Sequence, residues 1–422
     1  MAIVSGNALS VFHPPLLNTL FFPYLTKRFI MSGLDVILLR SSDVGAPVLS
    51  GTAGALIAVF DACLVSGYNV RTILSITRVG DKATVTYATG HGYAADGLTK
   101  VLISGADQAE YNGLKTIAKV STLAYEFTVT GTPDPGTGTI TSKVPPLGWA
   151  KPFSGTNKAA YRSQELSATG LYLRIDDTGA PQGEGAKSAR ARGYETLADI
   201  DSGTGLFPAV SQMSTGIVIG KSDALSTVPV DWILVGDGFE FHFFNRHVPN
   251  CPIKVYQQFH FGDFKSEMLS DAFGCLIYGS TGYPTTWAYE GTEAHNIVYG
   301  PAAPQPGHYI ARAYTQLGGA IPAGKVGNYT LGGTAIGHGV LTYPAPHNNG
   351  LYVAPLFLAD TSVLRGQLVG LWLPLHLRPL TDGVALPRLN SPIGRALYPV
   401  RTACATSGDD GQTLVDLDGP WR

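Results

Sequence analysis

Between residues 71 and 143 six short segments alternate polar and apolar residues in strand fashion: Ile73 to Thr77, Ala83 to Tyr87, Lys100 to Ile103, Leu114 to Ile117, Glu126 to Val129 and Gly138 to Thr141. Turn signals at Gly80-Asp81, Gly90-His91-Gly92, Gly105-Ala106-Asp107, Asn112-Gly113 and Gly131-Thr132-Pro133 separate them. Six strands in about seventy residues predict a small β-barrel or sandwich. A module of this size can be spliced into an exposed loop at little cost, because loop-closure entropy grows only logarithmically with length. The chain therefore reads as a split β host, residues 31–70 and 144–280, around an inserted β module, residues 71–143. A loop-rich β region follows over 281–422, and residues 1–30 read as an N-terminal extension or arm.

The host shows one helical pattern. Leu56, Val59, Phe60, Cys63 and Leu64 recur at helical spacing, with Thr52 placed to cap and Gly67 placed to stop the run. After the module, Leu171 to Ile175 alternates as a strand, and Trp232 to Val235 turns through Gly236-Asp237-Gly238 into Phe239 to Phe244 as a hairpin. A short helical stretch is expected from Gly193 to Ala198, and a last β segment is centred on Gly366 to Arg378. No fixed-period repeat is visible, which argues against a solenoid or propeller. The expected class is mainly β, a sandwich or barrel-like host interrupted by a small β module, with one or two short helices.

Charge narrows the partners. Lys and Arg number 29 against 31 Asp and Glu, leaving a net charge of -2 and no electrostatic footprint for nucleic acid or an anionic membrane. Only 14% of residues are charged, which suits surfaces buried against other subunits. Cys63, Cys251, Cys275 and Cys404 are widely spaced and read as buried thiols, consistent with assembly in a reducing cytoplasm. The longest apolar stretch, Ala53 to Val65, contains Asp61 and is too short to span a bilayer, and residues 1–30 lack the layout of a signal peptide. A soluble protein without membrane insertion is expected.

The chemistry-bearing residues do not assemble into a recognisable catalytic motif. His242, His247, Cys251 and His260 are the right residue types for zinc, yet their spacing matches no zinc motif, and they read as polar strand-face and loop histidines beside a buried thiol. Asp176 and Asp177 point to opposite sides of an extended chain and read as turn formers, as do Asp199 and Asp201. There is no GxSxG elbow, no Walker A loop and no GxGxxG after a strand. Phe239, Phe241, Phe243 and Phe244 read as core, not as a base-stacking platform. No catalytic, cofactor-binding or metal residue and no cofactor is expected from the sequence.

The runs GWAKPFSGTNKAAYRS (Gly148 to Ser163), LYLRIDDTG (Leu171 to Gly179), ARARGYETLADIDSGTG (Ala189 to Gly205), DWILVGDGFEFHFF (Asp231 to Phe244) and FHFGDFKSEMLSDAFGCLI (Phe259 to Ile277) resemble, in this order, a family of structural proteins of tailed bacteriophages. The upstream GAPVLSGTAGALIAVFDACLVSGY and the downstream RGQLVGLWLPLHLRPL extend that resemblance over most of the host from Gly45 onward. The module itself resembles a small β unit common in phage virion proteins, through His91-Gly92, Ile103-Ser104-Gly105-Ala106, Tyr111-Asn112-Gly113, Tyr125-Glu126-Phe127 and Gly138-Thr139-Ile140-Thr141. It departs from that unit at Gly97-Leu98-Thr99-Lys100, where a Gly-Asp pair is usual. The resemblance implies a non-enzymatic virion component of the tail tip, baseplate or a tail accessory. Such a component assembles in the bacterial cytoplasm and packs against copies of itself and other tail proteins. The competing expectation is a receptor-binding or glycan-cleaving tail component that acts on a cell-surface glycan.

Overall fold

The computed structural model describes residues 34–94, 96–179, 184–248, 255–283, 307–326, 329–331, 334–336, 341–361, 363–376, 378–404 and 410–422. The expected extension over residues 1–30, and Cys251 with it, lie outside the described residues. The architecture is mainly β, with one large curled sheet and one short helix, in keeping with the sandwich or barrel-like class expected.

The large sheet is antiparallel and starts at Ile37–Arg40. It then runs through Trp232–Gly236, Glu240–Asn245, Gln257–Asp263, Cys275–Tyr278, His308–Ile310, Ile321–Val326, Val353–Asp360, Val363–Pro374, Asp410–Asp416 and Leu397–Cys404. It curls enough that Lys265–Ser266, just beyond one central strand, pairs with Gln367 and Gly366 in a distant one. Period-two alternation then sends neighbouring side chains into two separate cores. In the Glu240–Asn245 strand, Phe241 and Phe243 join the core shared with the helix and the second sheet, while Phe244 joins the core enclosed by the curl. Both faces of this strand are therefore covered, and each of its residues is buried. The four phenylalanines expected in the core, Phe239, Phe241, Phe243 and Phe244, are all buried.

A second antiparallel sheet of five strands, Ala150–Gly155, Lys158–Arg162, Tyr172–Asp176, Ser188–Tyr194 and Ile217–Gly220, contributes to the first core. The helix contributes Phe60, whose ring lies 6.0 Å from Tyr161 of this sheet and 5.4 and 5.3 Å from Phe241 and Phe243 of the other. These edge-on arrangements suit the quadrupoles of the rings.

Two local expectations are corrected. The helix Ala55–Phe60 passes into a π-helical turn, Asp61–Ser66, and Gly67 stops it in a conformation with φ +71° that favours glycine. Its N-cap is Gly54, and Thr52 gives no side-chain cap. The Asp177 carboxylate, 121 residues away, accepts the Leu56 N–H at 2.9 Å. An orphan donor of the first turn is thus satisfied through tertiary structure, not by a local hydroxyl.

The helix expected over Gly193 to Ala198 is extended chain instead. Gly193 lies in the strand Ser188–Tyr194 opposite Leu173 and forms a backbone bridge to Phe207. A Cβ at Gly193 would lie 2.1 Å from the Phe207 ring, which is completely buried. Gly193→Ala is therefore expected to cost about 2 kcal/mol or more by overpacking. A denaturation midpoint equal to that of the wild type would refute this.

The module folds as two four-stranded sheets. Tyr68–Thr72, Thr141–Val144, Lys100–Ser104 and Gly113–Thr116 form one; Ser75–Val79, Lys82–Thr86, Ala124–Thr128 and Ala118–Lys119 form the other. All of these strands pair within residues 68–144. Between the sheets, Tyr87, Tyr93 and Ser142 share hydroxyl hydrogen bonds of 2.7 and 2.8 Å. Before the strand Lys100–Ser104, Asp96 Oδ1 accepts the N–H groups of Leu98 and Thr99, and Gly97 takes φ +70°. This is an Asx-type turn. The module's buried apolar residues, Tyr68 and Val144 among them, belong to the same core as the helix and the two other sheets. Polar contacts add to this: Arg40 meets Asp96 at 2.6 Å, and the Lys100 ammonium donates to the Val36 carbonyl at 2.7 Å.

Candidate functional site

The alternation that sends Phe241 and Phe243 one way sends Glu240 and His242 the other, toward the core enclosed by the curl. On the next strand His260 stands directly opposite His242, and Gly262 opposite Glu240. Glu240, His242 and His260 are all fully buried. Their nearest donor atoms lie within 4.8 Å of one another.

Hydrogen bonds orient the rings. His242 Nε2 lies 3.0 Å from the Val369 carbonyl and can only donate to it, which leaves Nδ1 as an acceptor. His260 Nδ1 sits 3.2 Å from that atom, and the two rings are 4.7 Å apart. On its other side, His260 Nε2 lies 3.8 Å from Glu240 Oε2, beyond hydrogen-bond range. Burial, with no compensating anion close enough, lowers His242 to about 3. Burial also lowers His260 well below its ordinary value, with His242 and Arg422 adding to it.

Carboxylates surround this pair. Asp237 occupies the hairpin turn anticipated at Gly236-Asp237-Gly238, where its Oδ1 accepts the N–H groups of Phe239 and Glu240 at 2.7 and 3.0 Å. Asp263 ends the strand that carries His260 and accepts the Thr169 N–H and hydroxyl, both at 2.6 Å. Arg422 joins the three acids: it donates to Glu240 Oε1 and to the Asp263 carbonyl, and its Nε is 3.8 Å from Asp237 Oδ2. Its guanidinium also lies 4.4 Å from the centre of the Phe239 ring. Burial raises Glu240 strongly and Asp237 as well, with Arg422 opposing the rise in both.

Burial also pushes Asp263 up to about 6 from an ordinary value of 3.8, against the two Thr169 hydrogen bonds. The folded protein holds this proton more tightly than the unfolded chain does, so stability falls as pH rises from about 4 to about 6 and then levels. Asp263→Asn is expected to flatten that segment of the stability–pH curve. Denaturation midpoints measured across this range for both proteins check it, and parallel curves would refute the assignment.

A pocket of about 330 Å³ opens beside the cluster and is lined in part by Thr169, Phe239, Asp263, Asp271 and Arg422. Its acids are already engaged: Asp271 accepts from Arg365 at 2.8 Å and from Ser266 at 2.9 Å, and Asp263 from Thr169.

Of the four residues with zinc-type side chains, the fold brings His242 and His260 together. His247 is buried beside Tyr283, with ring centres 6.3 Å apart, and is outside the cluster. Glu240 was not singled out from sequence, although its two-residue spacing from His242 within an alternating strand was the signal available. The adjacent aspartates also separate. Asp176 accepts from Thr178 in a turn, whereas Asp177 is fully buried against Lys221, so its reading as a turn former is replaced by that of a buried ion-pair partner. Asp199 accepts the Asp201 N–H, and Asp201 pairs with Lys158 and Arg174 on the surface. Cys63 and Cys275 are buried free thiols. Among the described residues, no helix is long and apolar enough to cross a membrane. No protein-family model matches the chain, and no curated protein matches it.

Proposed function

We propose that this chain is a non-enzymatic structural protein of a tailed-bacteriophage virion, working in the tail tip, the baseplate or a tail accessory through oligomeric packing. One observation carries the reading: the runs that resemble phage structural proteins fall on the framework of the fold. Gly148 to Ser163, Leu171 to Gly179 and Ala189 to Gly205 supply four of the five strands of the second sheet. Asp231 to Phe244 and Phe259 to Ile277 supply adjoining strands of the large sheet. A sequence pattern concentrated on packed strands speaks for architecture more than for a catalytic cleft, where function-bearing residues usually sit on loops. The low charge of the chain supports extensive contact with copies of itself and with other tail proteins.

The test is cryo-electron microscopy of purified particles from the source, with mass spectrometry of their proteins. Density for this chain in the tail at fixed stoichiometry is the expected result. Its absence from particles, together with glycan cleavage by the isolated protein, would overturn the proposal in favour of an enzymatic tail component.

A further inference from the structure

We propose that Glu240, His242 and His260 form a structural site for one divalent transition-metal ion of the zinc class, held inside the curled sheet. Each residue offers one donor, and the three donor atoms lie within 4.8 Å of one another with no solvent exposure. The two Nδ1 atoms are 3.2 Å apart, close to the separation of about 3.3 Å between neighbouring donors on a tetrahedral ion with bonds of roughly 2.0 Å.

Neighbouring groups position the donors. The Val369 carbonyl fixes His242 through Nε2, as an outer partner of a metal-bound imidazole does. His260 presents one nitrogen to His242 and the other to Glu240, so whichever binds the ion, its second nitrogen faces another member of the cluster.

Two independent features point to a cation. Glu240 Oε2 and His260 Nε2, 3.8 Å apart, and Asp237 Oδ2 are buried atoms without a hydrogen-bond partner among the described residues, a costly condition for acceptors. The carboxyl groups of Asp237 and Glu240 also share the guanidinium of Arg422. A doubly charged ion adds positive charge beside these two groups. Two imidazoles and a carboxylate favour zinc, cobalt or nickel over calcium or magnesium, which require mainly oxygen donors. Because the site is enclosed, with the Trp421 ring 5.7 Å from that of His242, the ion is taken up as the chain folds.

The experiment uses the full chain without a histidine tag, unfolded with a chelator and refolded with Zn²⁺, with Co²⁺ or with neither. Expected results are about one bound metal per chain after dialysis, ligand-field absorption from the Co²⁺ form, and a higher unfolding midpoint than that of the metal-free protein. His242→Gln/His260→Gln should lose both the metal and the absorption. Wild-type protein that refolds without retaining zinc or cobalt would overturn the site, as would a double variant that binds as much as the wild type. If the double variant does not fold, Glu240→Gln with its amide in place of the carboxylate provides the comparison: weakened Co²⁺ binding supports the site, and unchanged binding and spectrum overturn it.

Discussion

Lys221→Met is expected to destabilise the protein by about 3–5 kcal/mol, because it strands a buried carboxylate. The Lys221 and Asp177 side chains are fully buried and in direct contact. The ammonium also donates to the Thr52 carbonyl at 2.6 Å, while Asp177 Oδ2 caps the helix at Leu56. Asp177 further links the helix to the five-stranded sheet, since its N–H donates to the Asn157 carbonyl and its carbonyl accepts from Gly54. Burial drives both partners toward neutrality, raising Asp177 and lowering Lys221, and their mutual attraction opposes it.

Replacing the lysine alone leaves the cost of burial without the compensation. Adding Asp177→Asn removes the stranded charge and keeps an oxygen for the Leu56 N–H, so the double variant is expected to recover part of the loss. Denaturant unfolding of the three variants and the wild type checks this. A single variant within 0.5 kcal/mol of the wild type, on the scale typical of surface substitutions, would show that the pair does not hold the helix in place.

Arg422→Ala is the second large effect, expected at about 2–5 kcal/mol when measured with a chelator present. The guanidinium bonds to Glu240 and to the Asp263 carbonyl, approaches Asp237 and rests on Phe239. Truncation removes the cation from three buried acids and also uncovers an aromatic face. Arg422→Lys should rescue only a minority of the loss, since a point charge cannot reproduce contacts made in several directions by a planar fork. Full rescue by lysine would mean that charge alone matters there. The measurement is again the unfolding midpoint and slope.

The sequence determined the elements whose signals are local. Alternation and turn residues located five of the eight strands of residues 68–144, missing Tyr68–Thr72 and Ala118–Lys119 and setting Thr141–Val144 too early. The Gly236-Asp237-Gly238 turn marked the hairpin that joins Trp232–Gly236 to Glu240–Asn245. The helix was legible from five apolar residues at helical spacing, and the core position of the phenylalanines from an aromatic cluster with little basic charge nearby.

Tertiary structure decided which polar residues went inside and what they met there. Within the strand that carries Glu240 and His242, period two says that these two share a face; only the curl of the sheet makes that face an interior. Asp177 and Asp176 are identical in type and adjacent in sequence, yet one caps a helix from deep inside while the other closes a turn. Gly193 to Ala198 has nothing in its sequence to announce that Phe207 fills the space beside it. Local propensity acts over a few residues, whereas burial and ion pairing arise from contacts between residues far apart in the chain, 44 apart for Asp177 and Lys221 and 182 for Glu240 and Arg422, so the chain wrote its strands in its sequence and left its buried charges to the fold.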